Sequence, residues 1–157
     1  MNKMSKNILL WGFLSLLGAC QQPIPNHELQ EKQKLSQAYL AKNKQRPEVI
    51  TTSSGLQYEI LKAGTGERPQ ESDKIEVHYR GTFTDGTEFD SSHKTGQPIQ
   101  FQLNQVIPGW TEGVQLMRPG AKYKFTIPYD LAYGPRGNRV IPPYAVLLFE
   151  IELLAIK

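Results

Sequence analysis

The sequence predicts an α+β domain in which a bent antiparallel sheet wraps around one short helix, preceded by a polar N-terminal helix. From residue 49 onward, stretches of alternating apolar and polar residues, typical of half-buried strands, are separated by turns that contain Gly and Pro. Only residues 110–117 of this region place their apolar side chains at the three- and four-residue spacing of a helix face. Several strands and one short helix favour an antiparallel sheet that packs one face on that helix.

The first 19 residues predict a signal peptide. Two lysines precede an apolar run from residue 8 to residue 19, which is too short to span a bilayer and suits a signal h-region. The chain's single cysteine follows directly, and the series Leu17-Gly18-Ala19-Cys20 resembles a bacterial lipobox. That resemblance implies a diacylglyceryl anchor on the Cys20 thiol. An ordinary secretory signal with an incidental cysteine is the alternative.

Charge and cysteine count exclude some functions and bonds. The formal charge is +3 and falls to +1 when Lys3 and Lys6 leave with the signal peptide, so the sequence gives no electrostatic case for nucleic acid binding. A lipidated Cys20 leaves no thiol for a disulfide, and the fold must therefore rest on its core. Hydrophobic residues make up 39% of the 157, which is enough for one core.

The residues that follow predict a tether and a helical arm. Residues 20–26 form the lipidated tether, which two prolines keep extended, and residues 27–48 form the polar arm, which Asn26 caps and Pro47 ends. The thin apolar face of the arm consists of Leu29, Leu35, Ala38, Tyr39 and Leu40. Because the arm has no sustained heptad pattern, we expect a solvated spacer in a monomer rather than a dimerisation helix.

Residues 49–157 predict the folded domain. Its strand-like segments are residues 49–52, 56–61, 74–83, 99–103, 123–127 and 146–156. Asp85 and Gly86 predict a tight turn, and residues 131–145 predict a loop rich in Gly and Pro. The last strand is apolar on both sides at its start, which predicts a central position in the sheet.

A set of mostly aromatic and aliphatic residues lies in distinctive motifs of this domain. The motifs are VHYRG with Tyr79, DGTEFDSS with Phe89 and Asp90, VIPGW with Val106, Ile107 and Trp110, LAYG with Tyr133, VIPPYA with Ile141, and LLFEIELL with Phe149. The set contains no nucleophile–base pair and no cluster of metal ligands. It suits an apolar cavity with a few polar groups, although the aromatic residues of a small domain are ordinarily plain core.

Four ordered signatures closely resemble the FKBP-type peptidyl-prolyl cis–trans isomerases over residues 55–157: VHYRGTFTDGTEFDSS, VIPGWTEGVQLM, PYDLAYG and VIPPYAVLLFEIELL. The lipobox, the polar arm and the TTSSGLQYEIL segment are similar to the bacterial macrophage-infectivity-potentiator-like lipoprotein branch, whose dimerisation arm is often much longer. The resemblance implies the same bent sheet and a rotamase that assists protein folding outside the cytoplasm without a cofactor. A membrane-tethered chaperone or binding module with incidental isomerase activity is the alternative.

The resemblance also implies roles for the candidate residues. Trp110 forms the floor of a substrate pocket in this interpretation, and its walls are Tyr79, Phe89, Phe101, Val106, Ile107 and Phe149. By the same resemblance, the Tyr133 hydroxyl and the Ile107 backbone N–H are expected to bind the substrate backbone. The Asp90 carboxylate is expected to lie near the twisting amide or its hydrogen-bond network.

Two further residues, the partners and the location follow from the same resemblance. Ile141 is expected to touch the substrate residue before proline, and Ile99 stands where the family has a second wall aromatic. Clients are proline-containing polypeptides, and macrolides of the rapamycin type are expected ligands. Because Gln21 after the lipidated Cys20 resembles outer-membrane sorting, we expect a lipid-anchored protein of the bacterial cell envelope, at the outer membrane.

We predict that Cys20→Ser prevents lipid attachment and leaves the folded domain unchanged, because a serine hydroxyl cannot form the thioether. The precursor then accumulates with its signal peptide attached. Acyl-chain labelling and membrane fractionation of wild type and variant provide the measurement. A wild-type chain that takes no label and fractionates as soluble would identify residues 1–19 as a plain secretory signal.

Overall fold

The structure is a computed structural model that describes residues 25–157. The predicted signal peptide, Cys20 and the first residues of the predicted tether lie outside the described residues. No helix within residues 25–157 is long and apolar enough to cross a bilayer.

The domain is built on one antiparallel sheet of seven strands. The strands are β1 (Ile50–Thr51), β2 (Gln57–Lys62), β3 (Lys74–Thr82), β4 (Glu88–Ser91), β5 (Ile99–Gln102), β6 (Lys122–Ile127) and β7 (Leu147–Ile156). Their order is β1-β2-β6-β7-β3-β4, and β5 pairs with the first half of β3. The predicted antiparallel α+β fold is confirmed, and β7 lies centrally between β6 and β3, as its apolar start indicated.

The short helix α2 (Pro108–Val114) packs against this sheet. Pro108 occupies its first turn, where the missing N–H costs no intrahelical hydrogen bond. Trp110 and Val114 on one face are buried, in agreement with the predicted spacing. Gly113 lies so close to β6 that a Cβ atom there would be 2.6 Å from Cε1 of Phe125. The helix can therefore approach the sheet only because this residue has no side chain.

Strand β4 was not predicted, because only the turn before it carries a sequence signal. Gly86 has φ +88°, and the Asp85 side chain accepts a hydrogen bond from Thr87 N at 2.8 Å, so the tight turn is confirmed. The next four residues have no apolar–polar alternation, yet Asp90 and Ser91 pair with β3. Hydrogen bonding to β3 therefore adds a strand to the sheet at residues whose own sequence pattern does not predict one.

The N-terminal helix α1 (Asn26–Asn43) starts and ends earlier than predicted. Asn26 is its first helical residue and not its cap, because Pro25 occupies the cap position with an extended backbone and without a side-chain hydrogen bond. At the other end, the backbone N–H groups of Lys44 and Arg46 form turns onto Leu40 and Asn43. The helix therefore ends at Asn43, four residues before Pro47, and the proline is not what terminates it.

The predicted solvated spacer is wrong, since α1 packs on the domain through a polar face. Ser36 and Asn43 are buried, while Leu35 on the predicted apolar face is 60% exposed. The contacting residues recur at three- and four-residue intervals and are Gln33, Ser36, Leu40 and Asn43, which we call the docking stripe.

The C-terminal end of the docking stripe is joined to strands β2 and β6. Asn43 Nδ2 donates hydrogen bonds to Gln57 Oε1 at 2.8 Å and to Thr126 Oγ1 at 3.4 Å. Gln57 Nε2 donates in turn to the Leu40 carbonyl at 3.0 Å. Beyond the helix, the Arg46 guanidinium spans both carboxylate oxygens of Glu59, at 3.0 and 2.8 Å. Polar contacts with defined geometry therefore fix the arm on the sheet.

We predict that residues 49–157 fold without the arm, because every buried member of the hydrophobic core among the described residues lies after residue 55. Loss of the polar contacts at Gln57 and Glu59 should lower the free energy of unfolding by about 1–3 kcal/mol relative to residues 25–157. Chemical denaturation of the two fragments measures this difference. A fragment 49–157 without a cooperative transition would show that the arm belongs to the folding unit.

Candidate active site

A cavity of about 490 Å³ lies between α2, the sheet and the loop after β6, which is within the size range of small-ligand sites. Its lining is mainly apolar and aromatic, with a few polar side chains. The lining residues are Tyr79, Asp90, Phe101, Gln105, Val106, Ile107, Trp110, Tyr133 and Phe149.

Trp110 stands at the centre of the aromatic lining. Its ring lies edge to face with Tyr79 and Phe149, at centroid distances of 5.2 Å for both, and with Phe101 at 5.5 Å. Edge-to-face pairs at these distances are favourable because the positive ring edge meets the negative ring face. Trp110 is 4% exposed and lies in the first turn of α2. The helix thus holds the floor of the cavity in one orientation.

Tyr79 and Asp90 form a polar pair at one side of the cavity. The Tyr79 hydroxyl donates a hydrogen bond to Asp90 Oδ2 at 2.7 Å. Burial, and then the hydrogen bond to the Asp90 carboxylate, raise the pKa of the Tyr79 hydroxyl above its usual value. The fully buried Ser92, which directly follows β4, links this strand to β3, since its hydroxyl accepts a hydrogen bond from Tyr79 N at 2.9 Å.

Two hydrogen-bonding groups at the cavity remain free of partners within residues 25–157. Ile107 caps α2, and its carbonyl accepts from Trp110 N at 2.9 Å, but its own N–H donates to no described residue. The Tyr133 side chain is 41% exposed, and its hydroxyl makes no hydrogen bond with the described part of the chain. One donor and one hydroxyl are therefore available to a ligand backbone.

Eight of the predicted site residues lie around this cavity: Tyr79, Asp90, Phe101, Val106, Ile107, Trp110, Tyr133 and Phe149. The structure does not bring Phe89 to the lining. Its ring packs edge to face on Phe149, with centroids 5.4 Å apart, and so supports a wall residue. Ile141 is not among the lining residues either; its side chain is 3% exposed and belongs to the core cluster.

Sequence reasoning missed Gln105, which ends a short 3₁₀ turn and contributes to the lining. As an exposed polar residue it carries no apolar pattern, and its place directly before the VIPGW motif is its only signal. Ile99, the expected departure from the family, is partly buried against the core cluster and lies outside the lining.

Comparison with known proteins agrees with this geometry. A model of the FKBP-type peptidyl-prolyl cis-trans isomerase family matches residues 65–154. The chain belongs to this family. A model of the domain amino-terminal to FKBP-type peptidyl-prolyl isomerases matches residues 15–60, and the predicted family and Mip-like branch are both confirmed.

Several relatives share most of the chain. The FKBP-type peptidyl-prolyl cis-trans isomerase FkpA of Aeromonas hydrophila is 57% identical over 127 residues, which are 81% of this chain and 47% of that protein. The outer membrane protein MIP of Legionella longbeachae is 47% identical over 133 residues, 84% of this chain and 57% of that protein. The chain thus spans about half the length of these curated relatives.

A solved structure matches the whole fold. The crystal structure of a peptidyl-prolyl cis-trans isomerase from Pseudomonas syringae pv. tomato superposes with a TM-score of 0.78 at 38% identity. The match covers 86% of this chain and 98% of that one.

We predict that Tyr79 weakens the fold at alkaline pH. Because its pKa is higher in the folded than in the unfolded chain, its stabilising effect is complete below the ordinary tyrosine pKa of ~10 and is lost as the pH rises above it. The free energy of unfolding of Tyr79→Phe should therefore fall less than that of wild type between pH ~9 and ~12. Denaturation at several pH values measures this. Burial also raises the pKa of Tyr123, which both proteins retain as an internal reference.

Proposed function

We propose that this chain is a peptidyl-prolyl cis–trans isomerase that binds Xaa-Pro segments in the cavity beside α2 and assists protein folding outside the cytoplasm. The observation that carries the proposal is an aromatic cavity that also presents the Ile107 N–H and the Tyr133 hydroxyl, two groups with no hydrogen-bond partner within residues 25–157. Membership of the family supports the reaction.

The proposed mechanism is desolvation of a twisted amide. Rotation about the prolyl C–N bond breaks resonance and has a barrier of ~18–20 kcal/mol. In the planar ground state the carbonyl oxygen carries more negative charge than in the twisted state, so water stabilises the ground state better. Apolar walls withdraw that solvation and favour the twist. A differential of about 7 kcal/mol would accelerate rotation about 10⁵-fold.

Individual residues have separate roles in this mechanism. Trp110 and Phe149 offer flat surfaces to the pyrrolidine ring, and no covalent intermediate is needed. The Ile107 N–H and the Tyr133 hydroxyl hold the backbone on either side of the rotating bond, which restricts the substrate to conformations near the twist. Asp90 accepts the Tyr79 hydrogen bond and keeps a carboxylate beside the amide.

Ligands and location are proposed on the same basis. Macrolides of the rapamycin type resemble a twisted prolyl amide and would bind between the aromatic walls. Anchoring at Cys20 in a bacterial envelope, at the outer membrane, is supported by the lipobox-like series and by the name of the relative from Legionella longbeachae.

We expect Tyr133→Phe to lower kcat/KM for an Xaa-Pro peptide about tenfold, because the substrate loses one hydrogen bond while the ring stays in place. A protease-coupled isomerisation assay measures the rate. Tyr58→Phe is the matched control, since Tyr58 lies on β2 and stacks on Tyr123 away from the cavity. No activity in the wild-type chain would contradict the proposed function, and equal rates for wild type and Tyr133→Phe would remove the hydroxyl from the mechanism.

A further inference from the structure

The docking stripe of α1 contacts the segment that carries Tyr133, and we propose that α1 positions the Tyr133 hydroxyl for the isomerase reaction. Gln33 and Ser36 are the positioning residues; neither lines the cavity. Both act through residues 129–146, which we call the Tyr133 segment. The inference rests on the isomerase function proposed above and extends the site to a helix outside the cavity.

Hydrogen bonds within its own backbone close the Tyr133 segment. Gly134 N donates to the Tyr129 carbonyl at 2.8 Å, and Tyr144 N donates to the Gly134 carbonyl at 3.3 Å. The rings of Tyr129 and Tyr144 also meet edge to face, with centroids 5.0 Å apart. A displacement of Tyr129 or Tyr144 is therefore passed to Gly134, the residue next to Tyr133.

Helix α1 holds both of these tyrosines from outside the segment. Gln33 Nε2 donates a hydrogen bond to the Tyr129 hydroxyl at 3.2 Å. One helical turn later, the buried Ser36 hydroxyl donates to the Tyr144 carbonyl. Gln33 and Ser36, on successive turns of one helix, thus hold Tyr129 and Tyr144. The position of Gly134 depends on these two tyrosines.

The conformation of Tyr144 explains why such a contact is needed. Tyr144 has φ +59°, the one positive value among the non-glycine residues that the structure describes. This region disfavours a bulky residue, because Cβ approaches the backbone carbonyl. The Ser36 hydroxyl satisfies the Tyr144 carbonyl in this orientation and so favours the strained conformation over its alternatives.

The helix can position the segment because its other end is fixed on the sheet. Asn43, two turns after Ser36 on the same stripe, is buried and bonded to Gln57 on β2. Arg46 adds its paired contacts with Glu59 on the same strand. The sheet, α1 and the Tyr133 segment therefore form a closed frame, in which about 10 Å of helix separates Ser36 from Asn43.

The test is a double-mutant cycle between α1 and Tyr133 in the chain of 157 residues. Gln33→Ala with Ser36→Ala removes both contacts and should lower kcat/KM about fivefold, as expected when an ordinary hydrogen bond no longer holds the competent conformation. In a Tyr133→Phe background the same pair should leave kcat/KM unchanged, because the hydroxyl that α1 positions is already absent.

The controls separate positioning from general stability. Lys34→Ala with Gln37→Ala changes exposed residues on the same turns and should leave the rate at the wild-type value. Gln33→Glu with Ser36→Thr replaces the Gln33 donor by a carboxylate that can accept from the Tyr129 hydroxyl instead. The variant also keeps a hydroxyl that can donate to the Tyr144 carbonyl, and it should restore the rate. Amide hydrogen exchange of the Gln33→Ala, Ser36→Ala variant should rise within residues 129–146 and remain unchanged in β3 and β7.

Each remaining outcome decides against the inference. If the double variant keeps the wild-type rate, or loses the same factor with and without the Tyr133 hydroxyl, α1 does not act through Tyr133. An active wild-type chain with either of those results overturns the positioning role alone. A wild-type chain without isomerase activity overturns the proposed function, and the positioning role falls with it.

Discussion

The close approach of α2 to β6 is the constraint on which both the core and the cavity depend. Gly109 and Gly113 lie four residues apart on the same helix face, and a Cβ atom at Gly109 would be 2.4 Å from Cγ2 of Ile127. With both side chains absent, the helix packs against β6, and Trp110 projects from the adjacent face toward Tyr79 and Phe149. The helix position therefore sets the floor of the cavity.

This arrangement gives the aromatic residues two roles at once. Trp110 and Phe149 are 4% and 6% exposed, so most of each ring belongs to the core, while the remaining surface faces the cavity. A cavity lined by such residues is stable without a ligand, because their edge-to-face contacts fix the rings in place. Binding a proline ring then requires little rearrangement, which lowers the entropic cost of forming the complex.

The sequence predicts what depends on local pattern and fails where contacts are polar or distant. Alternation located the strands around β3 and the central β7. Spacing located α2, although the structure has it at Pro108–Val114 and the prediction at residues 110–117. Pattern alone cannot separate a cavity wall from the core, so the candidate site came from motif resemblance. That resemblance also placed Ile141 beside the ligand; its side chain belongs to the core cluster, as those of Trp110 and Phe149 do, but it is not among the residues that line the cavity.

The error at α1 has the same physical origin and explains what the arm contributes. Hydropathy assigns a helix face by its apolar residues, yet here three of the four residues in the docking stripe are polar and Leu35 faces solvent. Polar contacts add little net free energy, but each is satisfied only in one geometry. An arm attached in this way contributes orientation more than burial. The strained Tyr144 backbone lies at such a contact, so the arm controls geometry where the Tyr133 segment needs it.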